Sequence, residues 1–299
     1  MTELWAGVDI GGSKTLVLLC DERGVPVAEA VAPTPALSGG ESILDTAAAL
    51  VGTLLDETGG ELSGIGVGAA GVVDAERGLI VTTGDSFTGW AGTAVNAGLE
   101  KRLAVPVTLE NDVNAFLVGE LAQASEQPRH AMAVTLGTGV GGALLVDGRL
   151  LRGGGTGAGE IGHVGDFGPE PCSCGQRGHL EAYASGRSLA RRYAELTGTE
   201  LSGERIAAAA ATGDATAAAV FEEAGRHLGA AIALTGGLLG LDLAILGGSV
   251  LNSWWLLENP VSGALRAHPL LSGQPVRVRL SRLGGRAVAI GAAVLARSR

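Results

Sequence analysis

LWAGVDIGGSKTLVLLCDERGVPVAEAVA, residues 4–32, reads as a strand, a glycine turn at Asp9–Lys14, a second strand, a polar turn at Asp21–Gly24 and a third strand, an antiparallel meander. The same order returns in HAMAVTLGTGVGGALLVDGRLL, residues 130–151, with its glycine turn at Gly137–Gly142, and the repetition predicts an internally duplicated chain. Between the copies, residues 41–58 place Ile43, Ala47, Leu50, Leu54 and Leu55 at helical spacing. Residues 62–74 and 78–86 read as short strands, 93–103 as a helix, and VPVTLEND (105–112) as a strand ending in polar groups, where α/β folds place ligands. Beyond the second copy, helices are expected over 185–196, 202–211, 215–239 and 288–299, with LDLAILGGSV (241–250) a strand running into a glycine turn. The class is α/β.

Composition narrows the function. The chain has 299 residues, enough for one large domain or two smaller ones. Its 21 basic and 31 acidic residues give a net charge of −10, which argues against nucleic-acid or anionic-membrane partners. Hydrophobic residues at 46% against 17% charged describe a folding chain, and the 50 glycines lie in short turns between apolar runs. Three cysteines do not make a disulfide scaffold, and the amino terminus lacks a basic stretch followed by an apolar core, so a cytoplasmic protein is expected. The longest apolar stretches, 130–146 and 229–241, are too short and too interrupted to span a bilayer.

Glycine turns let backbone amides approach phosphate oxygens, so both turns could hold phosphate; two ordinary glycine hairpins are the alternative. Neither is a P-loop, because GxxxxGK[ST] is absent and each turn leads into strand. Gly137, Gly139 and Gly142 fit GxGxxG, but the following ALLVDG is no helix start, and the dinucleotide reading fails. Cys172, Cys174 and His179, with His163 upstream, can supply the nitrogen and sulfur set that structural Zn²⁺ prefers, free thiols being the alternative.

DIGGSK (9–14), GAAGVVD (68–74), ENDVNAFLVGE (110–120), LGTGVGG (136–142), GEIGH (159–163), CSCGQRGHLE (172–181) and LGGSV (246–250) occur in the order of the ROK family of sugar kinases and repressors, and the chain resembles that family over nearly its whole length. The resemblance implies the actin-like, ribonuclease-H-like ATPase fold: two duplicated lobes around a cleft, expected at 1–112 plus 288–299 and at 113–287, with a zinc loop near 163–179. It implies an ATP-dependent kinase of a hexose or related sugar, glucokinase-like, acting at the primary hydroxyl with ATP and Mg²⁺.

By that resemblance Asp112 is the catalytic base and Asn111 binds sugar. The alternative for Asp112 is to cap the helix that follows. Glu160, His163 and Glu181 resemble sugar-hydroxyl ligands; on their own the glutamates read as solvated charges. Asp9 helps position Mg²⁺, Gly11, Gly12, Ser13 and Lys14 form the first phosphate loop, and Gly137, Thr138 and Gly139 the second. Gly247 and Gly248 resemble an adenosine-side turn, a simple strand exit being the alternative. The resemblance favours a structural Zn²⁺ on His163, Cys172, Cys174 and His179, although His179 stands where the family usually has cysteine. Ser13 stands for the usual Thr and keeps a hydroxyl.

Ala70 in GAAGVVD and Ser86 in SFTGW depart from the family's Pro and Asn, which leaves room for an amino sugar or a cyclitol. Rival readings are a sugar-sensing repressor, for which only eight residues precede Asp9 and no DNA-binding module is seen, a catalytically idle sugar-binding regulator, and polyphosphate as donor, for which composition offers no basic groove. A homodimer or homotetramer is implied by the family alone.

Overall fold

A computed structural model describes residues 3–298. The chain opens with β1 (Glu3–Ile10), β2 (Lys14–Cys20), β3 (Pro26–Pro33), α1 (Gly40–Thr58), β4 (Glu61–Ala69), β5 (Val72–Asp74), β6 (Leu79–Thr82), α2 (Val95–Leu103), β7 (Val107–Asn111) and α3 (Asp112–Ala122). It continues with β8 (Ala131–Leu136), β9 (Val140–Val146), β10 (Arg149–Leu150), α4 (Glu181–Ala184), α5 (Gly186–Thr197), α6 (Gly203–Ala211), α7 (Ala215–Leu239), β11 (Leu243–Gly247), α8 (Trp254–Ala267), β12 (Arg277–Leu280) and α9 (Ala287–Arg297).

Two five-stranded sheets form, ordered β3-β2-β1-β4-β7 and β10-β9-β8-β11-β12. In each, the meander pairs antiparallel and the next two strands add in parallel. The duplication read from residues 4–32 and 130–151 is therefore present in the pairing itself.

The chain divides into a first unit of residues 1–127, 152–158 and 282–299 and a second of 128–151 and 159–281. These limits differ from the expected breaks after residues 112 and 287. The physical reason is α3, which packs backbone to backbone on α9: a Cβ on Gly291 would lie 1.8 Å from the Ala115 carbonyl oxygen, and one on Gly119 would lie 2.1 Å from that of Ala287. Glu120, buried near the end of α3, accepts the amides of Arg282 (3.0 Å) and Leu283 (2.9 Å), so the returning chain joins the first unit before α9 begins.

Both faces of the first sheet are covered, which explains the unbroken apolar run of β2. Leu16, Leu18 and Cys20 meet Ala289, Ile290 and Ala293 of α9, while Val17 and Leu19 belong to the core with Ile43 and Leu44 of α1. Edge strand β3 alternates partly buried with exposed residues instead. Glycines let α9 lie on this sheet, since a Cβ on Gly7 or Gly66 would stand 1.9 or 1.8 Å from the oxygens of Ala289 or Ala292. In the second unit Met132, Val134 and Leu136 share a core with Phe221, Leu228 and Ile232 of α7.

The expected helices at 41–58, 185–196, 202–211 and 215–239 are present within about one residue of their limits. The expected elements do not include α8, which carries Pro260 in its interior, or β12, although residues 276–281 (VRVRLS) carry the strict alternation that marks a strand. No helix among the described residues is long and apolar enough to cross a membrane.

Gly291→Ala should destabilise the protein by at least about 2 kcal/mol in urea titration, because overpacking against backbone has no side chain to yield. Gly52→Ala, on α1 where a methyl group would meet nothing beyond the helix's own backbone, should be neutral or stabilise by about 0.5–1 kcal/mol.

Candidate functional site

In the first unit, the β1–β2 turn is closed by the Gly11 amide donating to the Lys14 carbonyl at 3.1 Å. A Cβ on Gly12 would lie 3.3 Å from that of Ser86, which brings Ser86 against the first expected phosphate loop. Asp9 sits between Leu16 on β2 and Gly68 on β4. Although part of its surface is open, burial of its carboxyl, followed by the charge of Asp112, pushes its pKa up to about 7, with Lys14 opposing the rise.

Asn111 ends β7 and caps α3: its Oδ1 accepts from the amides of Val113 (2.9 Å) and Asn114 (3.1 Å), and its Nδ2 donates to the Gly71 carbonyl at 3.1 Å. The capping role that was an alternative for Asp112 thus falls to its neighbour. Asp112 occupies the first helical position, with Oδ1 2.9 Å from the Val113 amide. Gly71, at φ +110°, adjoins Ala70, so that departure from the family pattern lies beside the Asn111 side chain.

In the second unit, Gly137–Gly139 close the β8–β9 hairpin, the Gly137 amide donating to the Gly139 carbonyl at 2.9 Å. The GEIGH turn packs against β9 at backbone distance: a Cβ on Gly142 would lie 2.3 Å from the Gly159 oxygen, and one on Gly162 would lie 2.1 Å from that of Val140. This packing accounts for Gly142 without a dinucleotide.

Glu181, opening α4, accepts the Val140 amide on Oε2 (2.9 Å) and the Ser173 hydroxyl on Oε1 (2.5 Å). It ties the hairpin loop to the CSC turn. Glu160 is exposed at the start of the 3-10 turn Ile161–His163. Gly248, at φ +96°, lies so close to Leu136 that a Cβ would stand 2.3 Å from its oxygen, so Gly247–Gly248 sit beside the end of β8.

The donor atoms of His163, Cys172, Cys174 and His179 all lie within 4.8 Å of one another. The two Nδ1 atoms are 3.3 Å apart, Cys172 Sγ is 3.7 Å from His163 Nδ1, and Cys174 Sγ is 3.3 Å from His179 Nδ1. Ligand edges of roughly 3.3–3.8 Å are what a tetrahedron with Zn–N and Zn–S bonds of ordinary length requires, and the N₂S₂ set fits that ion. Burial holds the Cys172 thiol above its ordinary pKa, the opposite of what a cation would do. A cavity of about 320 Å³ in this unit lies elsewhere, between Ala233 on α7 and residues 265–276, and none of its lining belongs to a motif.

The sequence profile of the ROK family matches residues 5–299. The chain belongs to the ROK family. It is 32% identical to a glucokinase of Streptomyces coelicolor over 98% of both chains, and 30% identical to an N-acetyl-D-glucosamine kinase of Salmonella paratyphi A over 98% of this chain and 99% of that one. The ROK family glucokinase of Streptomyces griseus in complex with glucose and AMPPNP superposes with a TM-score of 0.83 at 32% identity, covering 99% of this chain and all of that one. The actin-like ATPase fold expected of this ROK protein is the fold of these neighbours.

Glu110, Arg152 and Ser173 were not singled out from the sequence. Glu110 and Ser173 lie inside quoted motifs, but no spacing rule marks a buried carboxylate or a hydroxyl brought to Glu181 across a loop.

Asp9 predicts a pH-dependent stability. Its raised pKa means that its favourable share is complete below pH 4 and is lost as pH rises towards 7, while the unfolded carboxyl ionises freely. Asp9→Asn should therefore gain on wild type between pH 4 and pH 7.5 by about 2–4 kcal/mol in chelator-treated protein, measured by urea unfolding. A constant difference across that range would exclude the buried-acid account.

Proposed function

We propose that the chain is an ATP-dependent sugar kinase that phosphorylates a hexose or close relative at its primary hydroxyl. The observation that carries this reading is the place of Asp112 in the first turn of α3, directly after the Asn111 cap, where its charge bears on Asp9 at the end of the sheet. Full-length similarity to a glucokinase and to a glucokinase complexed with glucose and AMPPNP supports ATP as donor and a sugar as acceptor.

In this reading Asp112 accepts the proton of the attacking hydroxyl as its oxygen bonds the γ-phosphorus and the bond to the ADP oxygen breaks. Asn111 retains one amide hydrogen beyond the Gly71 bond to orient the acceptor. Glu160 and Glu181 offer further acceptors for hydroxyls, Glu181 while anchoring the hairpin loop, and His163 offers its Nε2–H as a donor. With the Gly11 and Gly137 amides closing their own turns, the amides of Gly12, Ser13 and Lys14, and of Thr138 and Gly139, serve phosphate oxygens in this reading, and Gly247–Gly248 serve the nucleoside. The Asp112 charge raises the cost of ionising Asp9, and a Mg²⁺ held by Asp9 would relieve it and offset phosphate charge.

Structural Zn²⁺ on His163, Cys172, Cys174 and His179 would order the glycine-rich loop and orient the His163 ring, whose Nδ1 faces the cluster and whose Nε2 is left for a hydroxyl. The N-acetyl-D-glucosamine kinase relative favours one second reading, an amino-sugar acceptor. ATP as donor and three free cysteines favour a reducing cytoplasm, and the family's dimer or tetramer is open to light scattering.

ADP release over a panel of hexoses, amino sugars and cyclitols tests the reading directly; no acceptor-dependent release would overturn it. Asp112→Asn should lower kcat by about 10²–10⁴-fold while sugar and MgATP affinities by calorimetry stay within about tenfold. A variant keeping over about a tenth of wild-type kcat would refute Asp112 as base.

Protein purified without chelator should carry about one zinc per chain by elemental analysis, and Cys174→Ser should lose it together with loop stability. Absence of stoichiometric metal would remove the zinc assignment.

A further inference from the structure

Glu110 is almost wholly buried, at 3% exposure, yet three different parts of the first unit bind its carboxylate. Oε1 accepts the Asn111 backbone amide at 3.1 Å and the Asn114 side-chain amide at 2.9 Å, while Oε2 takes Nε and Nη2 of Arg152 at 2.8 and 2.6 Å. Val107 and Leu109 point from β7 into the core shared with α1 and α2, so alternation turns Glu110 to the other face, beneath the first turn of α3.

Arg152 opens the segment Arg152–Ala158, RGGGTGA, which packs with the first unit although both flanks belong to the second. With four glycines it has few side chains to hold it, and the Arg152 guanidinium supplies an anchor. A buried ion pair adds little stability over apolar packing, so its contribution here is direction. One carboxylate fixes the amide of Asn111, the side chain of Asn114 and the arginine that neutralises it.

We propose that Glu110, neutralised by Arg152, is the positioning residue that sets the orientation of the Asn111–Asp112 turn towards the sugar acceptor. This rests on the kinase reading for its kinetic consequence and on the fold alone for its structural one. Removing Arg152 leaves a buried, unpaired charge directly before the base, and the turn relaxes to let water reach it. Removing that charge as well, with an amide that still offers Oε1 to the Asn111 amide, restores the turn.

The test compares wild type, Arg152→Met, Arg152→Lys and the double variant Arg152→Met with Glu110→Gln. Arg152→Met should lower kcat at least about tenfold with the KM for MgATP within about twofold. Its hydrogen–deuterium exchange should quicken over residues 107–118 and stay unchanged over α1. Arg152→Lys, which keeps the charge, should retain at least about a third of kcat, and the double variant should recover at least about fivefold over Arg152→Met.

Unchanged kcat in Arg152→Met, failure of the double variant to recover, or exchange quickened throughout the chain with both KM values raised would each overturn the proposal, the last marking a merely structural role. If wild type releases no ADP with any acceptor, the kinase reading falls. The exchange arm then decides alone: quickening confined to 107–118 supports the positioning role, and its absence refutes it.

Discussion

The contact of α3 and α9 with each other and with the first sheet is the constraint from which the candidate site follows. Gly119 and Gly291 bring the two helices to backbone distance, Gly7 and Gly66 let α9 lie on the strands, and a Cβ on Gly68 would come within 3.7 Å of the Asp112 Cα and 3.2 Å of the Ala115 methyl. Interiors at this density do not deform smoothly, so the start of α3 has one place relative to β1 and β4. That place puts Asp112 close enough to Asp9 for its charge to raise the pKa of the Asp9 carboxyl.

The same hairpin serves each unit with different chemistry. In the first, the turn is flanked by Asp9 and Lys14, two charges at the end of a buried strand. In the second, the Gly137–Gly139 loop carries no charge of its own and is held from outside by Glu181, whose other oxygen takes Ser173 from the turn bearing Cys172 and Cys174. A metal at the four-donor cluster would therefore bear on the hairpin through the Glu181 carboxylate and through the turn carrying His163, which packs on Val140.

Two glutamates of ENDVNAFLVGE act where the chain re-enters the first unit. Glu110 holds the Arg152 side chain and Glu120 the amides of Arg282 and Leu283, the opening residues of the two returning segments. Both carboxylates are buried and bound by partners far along the chain, which gives α3 its fixed ends and explains why the chain rejoins the first unit at 152 and again at 282, before α9 begins.

Period and punctuation in the sequence were enough for the duplicated meanders, the long helices and the ordered motifs, because alternation, helical spacing and glycine turns are local properties. α8 is interrupted by Pro260, and β12, absent from the expected elements, was nonetheless legible in the alternation of residues 276–281. The sequence by itself also determined which residue types could carry the chemistry: the Asn111–Asp112 pair, the glycine turns and the four nitrogen and sulfur donors.

Only the tertiary structure decided that Asn111 is the cap of α3, that Gly142 is a packing residue against Gly159, that Glu110 is neutralised by Arg152, and that the four donors converge within 4.8 Å. Each of these depends on partners brought together by packing, and the distance between residues far apart in a chain is not written in their spacing along it.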